Sequence, residues 1–345
     1  MILLLLSIIA LAALVGHVAG TLEEQQRVVT AALASKKAGG VELNWRVLET
    51  DLGWEGSEPR VAIFVHAVIG VFHKKNGSGT WGYGGAILLG MLRAIGESAL
   101  VDRVHRIYVG AIGTPKAIAD VQQAILLQFG GQRWDGKLVF VVTASDLSLS
   151  EFPTLLAMQL YAQAVSSAHA PRTPMLYLHT KGVRRNGAYA SDWRTYMMHM
   201  LVTRAADVCL PALLSGRFST CGALKTPTGQ GIIYAGNFWW ATAEYLQRRP
   251  SVLQLQWGYA SRYLAENFLL SGVSREASRE RHYCVHHAHH DMQNCPTPPR
   301  MYRDVPLLPL RSHGDCFRPS LRPQNQTKVN PQSWCHRLAL PPVPP

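Results

Sequence analysis

The chain has 345 residues, 48% of them hydrophobic and 16% charged, which is enough to bury one sizeable core with a small appendage. Its formal net charge is +12, a balance that suits an anionic surface, a nucleic acid or the diphosphate of a small ligand. The positive charges are dispersed, with no long Lys/Arg run interleaved with aromatics, and nucleic acid is excluded from the expected partners on that ground.

Residues Ile2 to Val15 are apolar apart from Ser7, and the stretch closes in Val18-Ala19-Gly20, small residues of the kind that precede a signal-peptidase cut. His17 interrupts the run and no Lys or Arg precedes Arg27. Residues 1–20 therefore read as a cleaved signal peptide or as a signal anchor through residues 2–19, and both point to the secretory pathway, Golgi or ER lumen or beyond. The six cysteines agree with that address: Cys209 and Cys221, then Cys284, Cys295, Cys316 and Cys335 in a Pro-rich tail. An even number in such a context suits disulfides, whose connectivity the spacing leaves open. Two glycosylation sequons, at Asn76 and Asn325, lie in polar surroundings.

Residues 21–59 read as a helical lead-in and polar connector. The organised region starts at Arg60. Val61 to Val65 is a continuous apolar run of strand length, expected to be buried on both faces. A helix is predicted over Ala86–Leu100, a strand over Arg106–Ala111, a helix over Pro115–Phe129, a strand over Lys137–Thr143 and a helix from Glu151. A fourth strand, Met175–Leu178, runs into His179-Thr180-Lys181-Gly182, and a long helix is predicted from Asp192 to about Leu214. Strand and helix alternate strictly, which predicts an α/β fold with a mostly parallel sheet and helices on both faces. Ligands of such sheets sit outside the carboxyl ends of the strands, which singles out His66, Gly113, Ser145-Asp146 and His179 to Gly182. Beyond Gly216 the expectations are a strand over Ser219–Lys225, a helix over Thr242–Arg249, and another carrying Arg262 to Glu266. From 275 to 345 the chain reads as an irregular Cys/His/Pro-rich tail with a disordered end.

Three segments carry candidate chemistry. Lys181, at a strand end and followed by Gly182, can set an ammonium against a phosphate, with His179 and Thr180 beside it; a solvated surface turn is the plainer reading. Gly236-Asn237-Phe238-Trp239-Trp240 can offer a sugar-stacking platform with an amide for hydroxyls, or it can be core packing. Arg262 and Glu266, one turn apart, are a positioned carboxylate with its partner or a structural i,i+4 pair. A rival signal is the cluster from His282 to Cys295, in which His286 and His290 have the spacing of metal ligands on one helix face; a His-rich loop with a Cys284–Cys295 disulfide is the alternative there.

Read in order, Glu151-Phe152-Pro153-Thr154-Leu155, Tyr177 to Gly182, Asp192-Trp193-Arg194, Gly236 to Ala241 and Arg262 to Glu266 resemble a group of GT-A-type glycosyltransferases similar to the rhamnan synthesis protein F class. The resemblance spans about residues 60–272 and defines an expected GT-A-like, Rossmann-type domain at 60–274. It implies a nucleotide-sugar donor and a glycan, protein or lipid acceptor. It points to donor contacts from His179, Thr180, Lys181, Gly182 and Arg194, to which the strand-end position adds His66, and acceptor contacts from Gly236, Asn237, Trp239, Trp240 and Arg262. Glu266 is the expected general base, with Glu244 as its competitor. Many GT-A enzymes end a central strand with Asp-x-Asp, which holds a divalent metal under the donor diphosphate; His179-x-Lys181 stands where that pair is sought. The expectation is that Lys181, helped by Arg194, supplies the metal's charge, which leaves the need for a divalent metal open. The alternatives to a transferase are a non-catalytic carbohydrate-binding protein on the same fold and a secreted metal-binding protein.

Overall fold

The computed structural model describes residues 27, 40–50, 60–70, 82–131, 134, 136–167, 171–181, 183, 188–228, 231–254, 262–273 and 281–285. The expected leader at 1–20, both sequons, Gly182, His286 and His290 lie outside these residues, as does the tail beyond 285. No helix among the described residues is long and apolar enough to cross a membrane.

The four apolar runs of the first half form parallel strands: β2 (Val61–Val68), β3 (Val104–Ile112), β4 (Leu138–Ala144) and β5 (Pro174–His179), after a short edge strand β1 (Val41–Leu43). β2 pairs with both β3 and β5, and β3 with β4, all in parallel. The spatial order of these four strands is thus third, second, first, fourth, the doubly wound arrangement, and it reverses between β2 and β5. Burial follows the strand period. Val61, Ile63, Val65 and Ala67 of β2 enter one core cluster while Ala62 and Phe64 enter the other.

Helices cover both faces. After α1 (Trp45–Thr50), the first face receives α2 (Gly82–Glu97) and, beyond the single-turn α3 (Leu100–Arg103), α4 (Pro115–Phe129). The start of α4 is set locally: the Thr114 hydroxyl accepts from the Ala117 N–H, and Pro115 occupies the first turn, where no N–H is needed. The opposite face receives α5 (Phe152–Ser167), whose Phe152, Leu155, Leu156 and Met158 are buried there.

Four expectations change. The predicted Asp192–Leu214 helix is two helices, α6 (Ala188–Met198) and α7 (Cys209–Leu214), separated by a π turn at His199–Thr203 and a run of turns. Cys209 opens α7 and is bonded to Cys221, at a sequence separation of 12. A loop of that length adds about 3 kcal/mol of stability. The predicted 219–225 strand is two strands, β6 (Thr220–Gly222) and β7 (Lys225–Thr228), parted at Leu224, whose φ is 55°. β7 leaves the main sheet and forms a hairpin with β8 (Gly231–Tyr234). The connector expected at 21–59 contributes β1, antiparallel to β4. The tail expected to be irregular from 275 contributes β10 (His282–Cys284), parallel to β6. With β9 at Trp239–Thr242, one sheet of eight strands therefore crosses both predicted boundaries, at 60 and at 274, in the order β1-β4-β3-β2-β5-β9-β6-β10.

β9 (Trp239–Thr242) runs antiparallel between β5 and β6. It is followed by α8 (Ala243–Gln247), capped by the Thr242 hydroxyl, and later by α9 (Arg262–Asn267). Because β9 is antiparallel to β5, Trp239 lies opposite Tyr177 near the carboxyl end of β5 and Thr242 opposite Pro174 at its start. This reversal decides which of the later residues reach the site.

Candidate functional site

The strand order reverses between β2 and β5, and at such a reversal the usual place for a ligand is the crevice outside the carboxyl ends of the strands. His66 and His179 face each other there in register. Two backbone-level bonds lock the ends together: the Thr180 N–H donates to the His66 carbonyl at 2.9 Å, and the Val68 N–H donates to the Thr180 hydroxyl at 3.0 Å. Thr180 is buried and its hydroxyl serves this latch, so its expected donor contact gives way to a structural role.

His66 Nδ1 lies 3.0 Å from the Thr154 hydroxyl in the first turn of α5. That hydroxyl fits because β3 carries a glycine opposite it: a Cβ on Gly110 would stand 2.0 Å from Thr154 Oγ1. His66 Nε2 is buried without a hydrogen-bond partner. His179 Nε2 donates to the Gly236 carbonyl at 2.9 Å, which leaves the lone pair of the neutral ring on Nδ1. Burial pushes both imidazoles down to about 4, against weaker upward pulls from Glu151 on His66 and from the Gly236 carbonyl and Glu266 on His179. The Lys181 and Arg194 charges push His179 the same way as burial. Both rings are therefore neutral near pH 7. The 3.7 Å approach of Glu151 Oε1 to His179 Nδ1 is accordingly no ion pair, since burial and then the Lys181 charge keep the ring neutral.

Glu151 is the hub that the sequence reading passed over. Its Oε2 accepts from the Tyr177 hydroxyl at 2.8 Å and from Asn237 Nδ2 at 2.5 Å. Asn237 Oδ1 accepts in turn from Trp239 Nε1 at 2.8 Å. Tyr177, buried and beside two carboxylates, has its hydroxyl held well above its ordinary value, first by burial and then by Glu151, and so it stays a donor. The chain bends sharply to build this hub. Gly236 has φ 96°, and a Cβ there would stand 2.3 Å from Met197 Sδ; Asn237 has φ 56°, a conformation Asn tolerates; Ser150, just before Glu151, has φ 51°. A clue was present in the sequence: Glu151 is a carboxylate at a helix start shortly after the β4 carboxyl end. Asp146, one of the strand-end residues singled out, instead caps the turn at 147–149 through the N–H and hydroxyl of Ser148.

Trp239 and Trp240 are core residues, which corrects the stacking-platform expectation. Both are buried; Trp239 stacks on Tyr177 at 5.0 Å, and Trp240 Nε1 donates to the Leu201 carbonyl. With both ends of its amide committed, Asn237 is likewise a structural bridge rather than an open hydroxyl contact. Gly236 serves through its carbonyl, on His179.

Beside this buried set stand two half-buried cations, Lys181 and Arg194. Lys181 Nζ lies 3.9 Å above the Trp193 ring, and Arg194 NH1 donates to the Lys181 carbonyl at 2.6 Å while NH2 donates to Ser191 Oγ. Trp193 Nε1 is buried without a hydrogen-bond partner, as is His66 Nε2. An unmet buried polar atom costs about 1–3 kcal/mol, so these two atoms are places where a ligand or water gains most by binding.

The two competing carboxylates separate. Glu266, half-buried in α9 beside the buried Ala265, Phe268 and Leu269, lies within electrostatic reach of His179 and Tyr177 and raises both. Glu244 follows β9, so it sits at the amino end of β5, where its N–H donates to the Pro171 carbonyl and its carboxylate pairs with Arg248. Its candidacy as the base is corrected on geometry: the antiparallel strand carries it to the far end of the sheet. The side chain of Arg262 lies outside the described residues. Among the described residues no three His, Cys, Asp or Glu side chains converge as metal ligands do, and Glu151 Oε2 is already taken by two donors.

A family model described as a domain of unknown function (DUF8361) matches residues 86–282. The chain belongs to this family. No curated protein and no solved structure matches the chain. The matched DUF8361 segment contains Glu151, His179, Lys181, Arg194, Asn237 and Glu266, while His66 precedes it.

Proposed function

We propose that the protein is a glycosyltransferase of GT-A type that seats a nucleotide-sugar donor in the crevice between β2 and β5 and transfers the sugar to a glycan, protein or lipid acceptor in the secretory pathway. The observation that carries this reading is the placing of two cations, Lys181 and Arg194, at the carboxyl end of β5 beside the order reversal, with the Arg194 guanidinium donating to the Lys181 main-chain carbonyl at 2.6 Å. A diphosphate there gains charge-assisted hydrogen bonds from both, without a metal's charge. The sugar follows the diphosphate toward the buried His66 and Trp193 nitrogens, which have no partner in the protein.

Glu266 acts as the base. Its carboxylate takes the proton of the acceptor hydroxyl, the acceptor oxygen forms a bond to the anomeric carbon, and the bond from that carbon to the diphosphate breaks, releasing a nucleoside diphosphate. Glu151 positions Tyr177, Asn237 and, through the Gly236 turn, His179. The disulfides, Cys209–Cys221 and that of Cys284, favour an oxidising compartment.

The test is a titration of the full chain with a panel of UDP-, GDP- and dTDP-sugars, with and without EDTA, followed by transfer or hydrolysis assays. One donor is expected to bind whether or not chelator is present, and Lys181→Ala is expected to weaken it by about tenfold to a hundredfold while the thermal melt stays put. Binding without turnover would leave a carbohydrate-binding protein, and collapse on chelation would refute the metal-free donor site.

A further inference from the structure

Glu151 holds its hub with one carboxylate oxygen only. Oε2 accepts from Tyr177 and Asn237, while Oε1 approaches His179 Nδ1 at 3.7 Å. His179 is fixed by other contacts: its Nε2 lies 2.9 Å from the Gly236 carbonyl, and its ring meets that of Phe238 edge-on, 5.3 Å between centroids. A carbonyl only accepts, so Nε2 carries the proton of the neutral ring and Nδ1 presents a lone pair. Two acceptors therefore face each other, and among the described residues no hydrogen-bond donor reaches either atom.

Both side chains still touch solvent, His179 with 15% and Glu151 with 11% of its surface exposed. Facing lone pairs repel unless hydrogens come between them, and both atoms are held in place from behind, so a donor arriving from solvent finds its partners already oriented. The chemistry of the pair selects that donor. Phosphates and carboxylates bring only acceptors. An ammonium meets the Lys181 charge, which bears on His179 more strongly than Glu266 or Arg194 does. Adjacent hydroxyls of a sugar ring bring two O–H donors and no charge.

We propose that Glu151 Oε1 and His179 Nδ1 form a seat for two adjacent hydroxyls of the ligand's sugar ring, each acceptor taking one O–H. The proposal rests on the donor reading for the phosphates that accompany the sugar, and it narrows that reading to sugars with a free vicinal diol. Lys181 and Arg194 take the anionic part of the ligand and the acceptor pair takes its neutral part. Glu151 then has two tasks, one for each oxygen: Oε2 holds the hub and Oε1 holds the sugar.

The decisive variant is Glu151→Gln. With its amide oxygen kept by Tyr177 and Asn237, its NH2 turns to His179 Nδ1 and supplies the missing donor, so the thermal midpoint is expected to hold or rise while the seat closes. Full-length wild type and variant are titrated with UDP and UDP-glucose, GDP and GDP-mannose, and dTDP and dTDP-glucose. For the pair that binds, Glu151→Gln is expected to weaken the nucleotide sugar by at least about tenfold and to leave the nucleoside diphosphate unchanged. Lys181→Ala is expected to weaken both members alike. His179→Gln, which keeps a donor for Gly236 and lacks the Nδ1 acceptor, is expected to repeat the Glu151→Gln result and serves if that variant fails to fold. In the wild-type chain, the Nδ1 resonance of His179 in nitrogen NMR is expected to move with the nucleotide sugar, and with free D-glucose, D-galactose or D-mannose at high concentration, but not with the nucleoside diphosphate. Free hexoses read the seat even where no nucleotide binds, so failure of the donor reading and failure of the seat are told apart. An Nδ1 resonance unmoved by every hexose-bearing ligand overturns the proposal, as does full nucleotide-sugar affinity in both variants. Magnesium chloride alone moving that resonance would put a cation between the two acceptors and overturn it as well.

Discussion

The two ends of one sheet are chemically opposed. At the carboxyl end, His66, His179, Glu151, Tyr177 and Asn237 are buried or nearly so and tied to one another, and two of the titratable groups are held neutral by desolvation. At the amino end, the exposed Arg103 and the half-buried Arg60, Arg106 and Lys137 border one open cavity, and Arg106 and Lys137 donate to backbone carbonyls. The difference teaches where each end keeps its free energy. The buried network responds to protonation and to loss of a partner, because its groups have no water to fall back on. The exposed cations respond to salt, because their field is screened over about 10 Å at ordinary ionic strength.

Acid gives the largest expected effect. Burial pushes His66 and His179 down to about 4 and His282, at the sheet's far edge, down to about 3, each against an ordinary value near 6.5. Between those values the unfolded chain binds protons that the folded chain refuses. Stability from these rings is therefore fully present above about pH 6.5 and lost as pH falls toward 4, and toward 3 for His282. Each isolated shift of this kind is worth on the order of 3 kcal/mol, with the coupled His66–His179 pair below twice that. Urea melts at about pH 7.5 and about pH 4.5 should differ by several kcal/mol, and His66→Gln should shrink the difference. Equal midpoints at the two pH values would mean that the crevice is wet and that the contrast between the two ends fails.

Next comes the base. Glu266→Gln keeps shape and hydrogen bonding and removes the proton acceptor; transfer should fall by at least about a hundredfold with donor affinity retained. Glu244→Gln, paired with Arg248 at the wrong end of the sheet, should leave transfer at the wild-type level. Steady-state rates and donor titrations on both variants check this. A reversal of the two results would show that the acceptor approaches from the amino end of β5.

The strands of the first half were legible because each is a continuous apolar run bounded by polar or glycine residues, and buried strands write that pattern plainly. His66, His179 and Lys181 were legible for the same reason, being the first polar groups after such runs. The rest turned on pairings that sequence spacing does not encode. β1 and β10 are three-residue strands whose partners, β4 and β6, are far away in the chain. The fate of Trp239 and Trp240 depended on β9 entering the sheet between β5 and β6, which turned a plausible sugar platform into core. Glu151 was quoted within a motif without a role because its partners, Tyr177 and Asn237, lie 26 and 86 residues away.

The smallest expected effect concerns how that hub is held. Ser150 has φ 51° and ψ −137°, a region that suits glycine, and its backbone N–H donates to the Leu147 carbonyl at 3.4 Å. Such a conformation costs a non-glycine residue about 1–3 kcal/mol. Glycine avoids that cost but loses about 0.5–1 kcal/mol through the greater freedom of its unfolded chain. Ser150→Gly should therefore stabilise the protein by about 1 kcal/mol, a rise of a few degrees at most in thermal midpoint. Donor affinity should not change, because Tyr177 and Asn237 still grip the Glu151 carboxylate. Asn237 also has a positive φ, yet Asn237→Gly should move the midpoint down, since its amide bridges Glu151 and Trp239 and both bonds would be lost. If Ser150→Gly weakens donor binding while raising stability, the strained turn is itself part of how Glu151 is aimed, and the carboxyl end owes its geometry to backbone strain as well as to its hydrogen bonds.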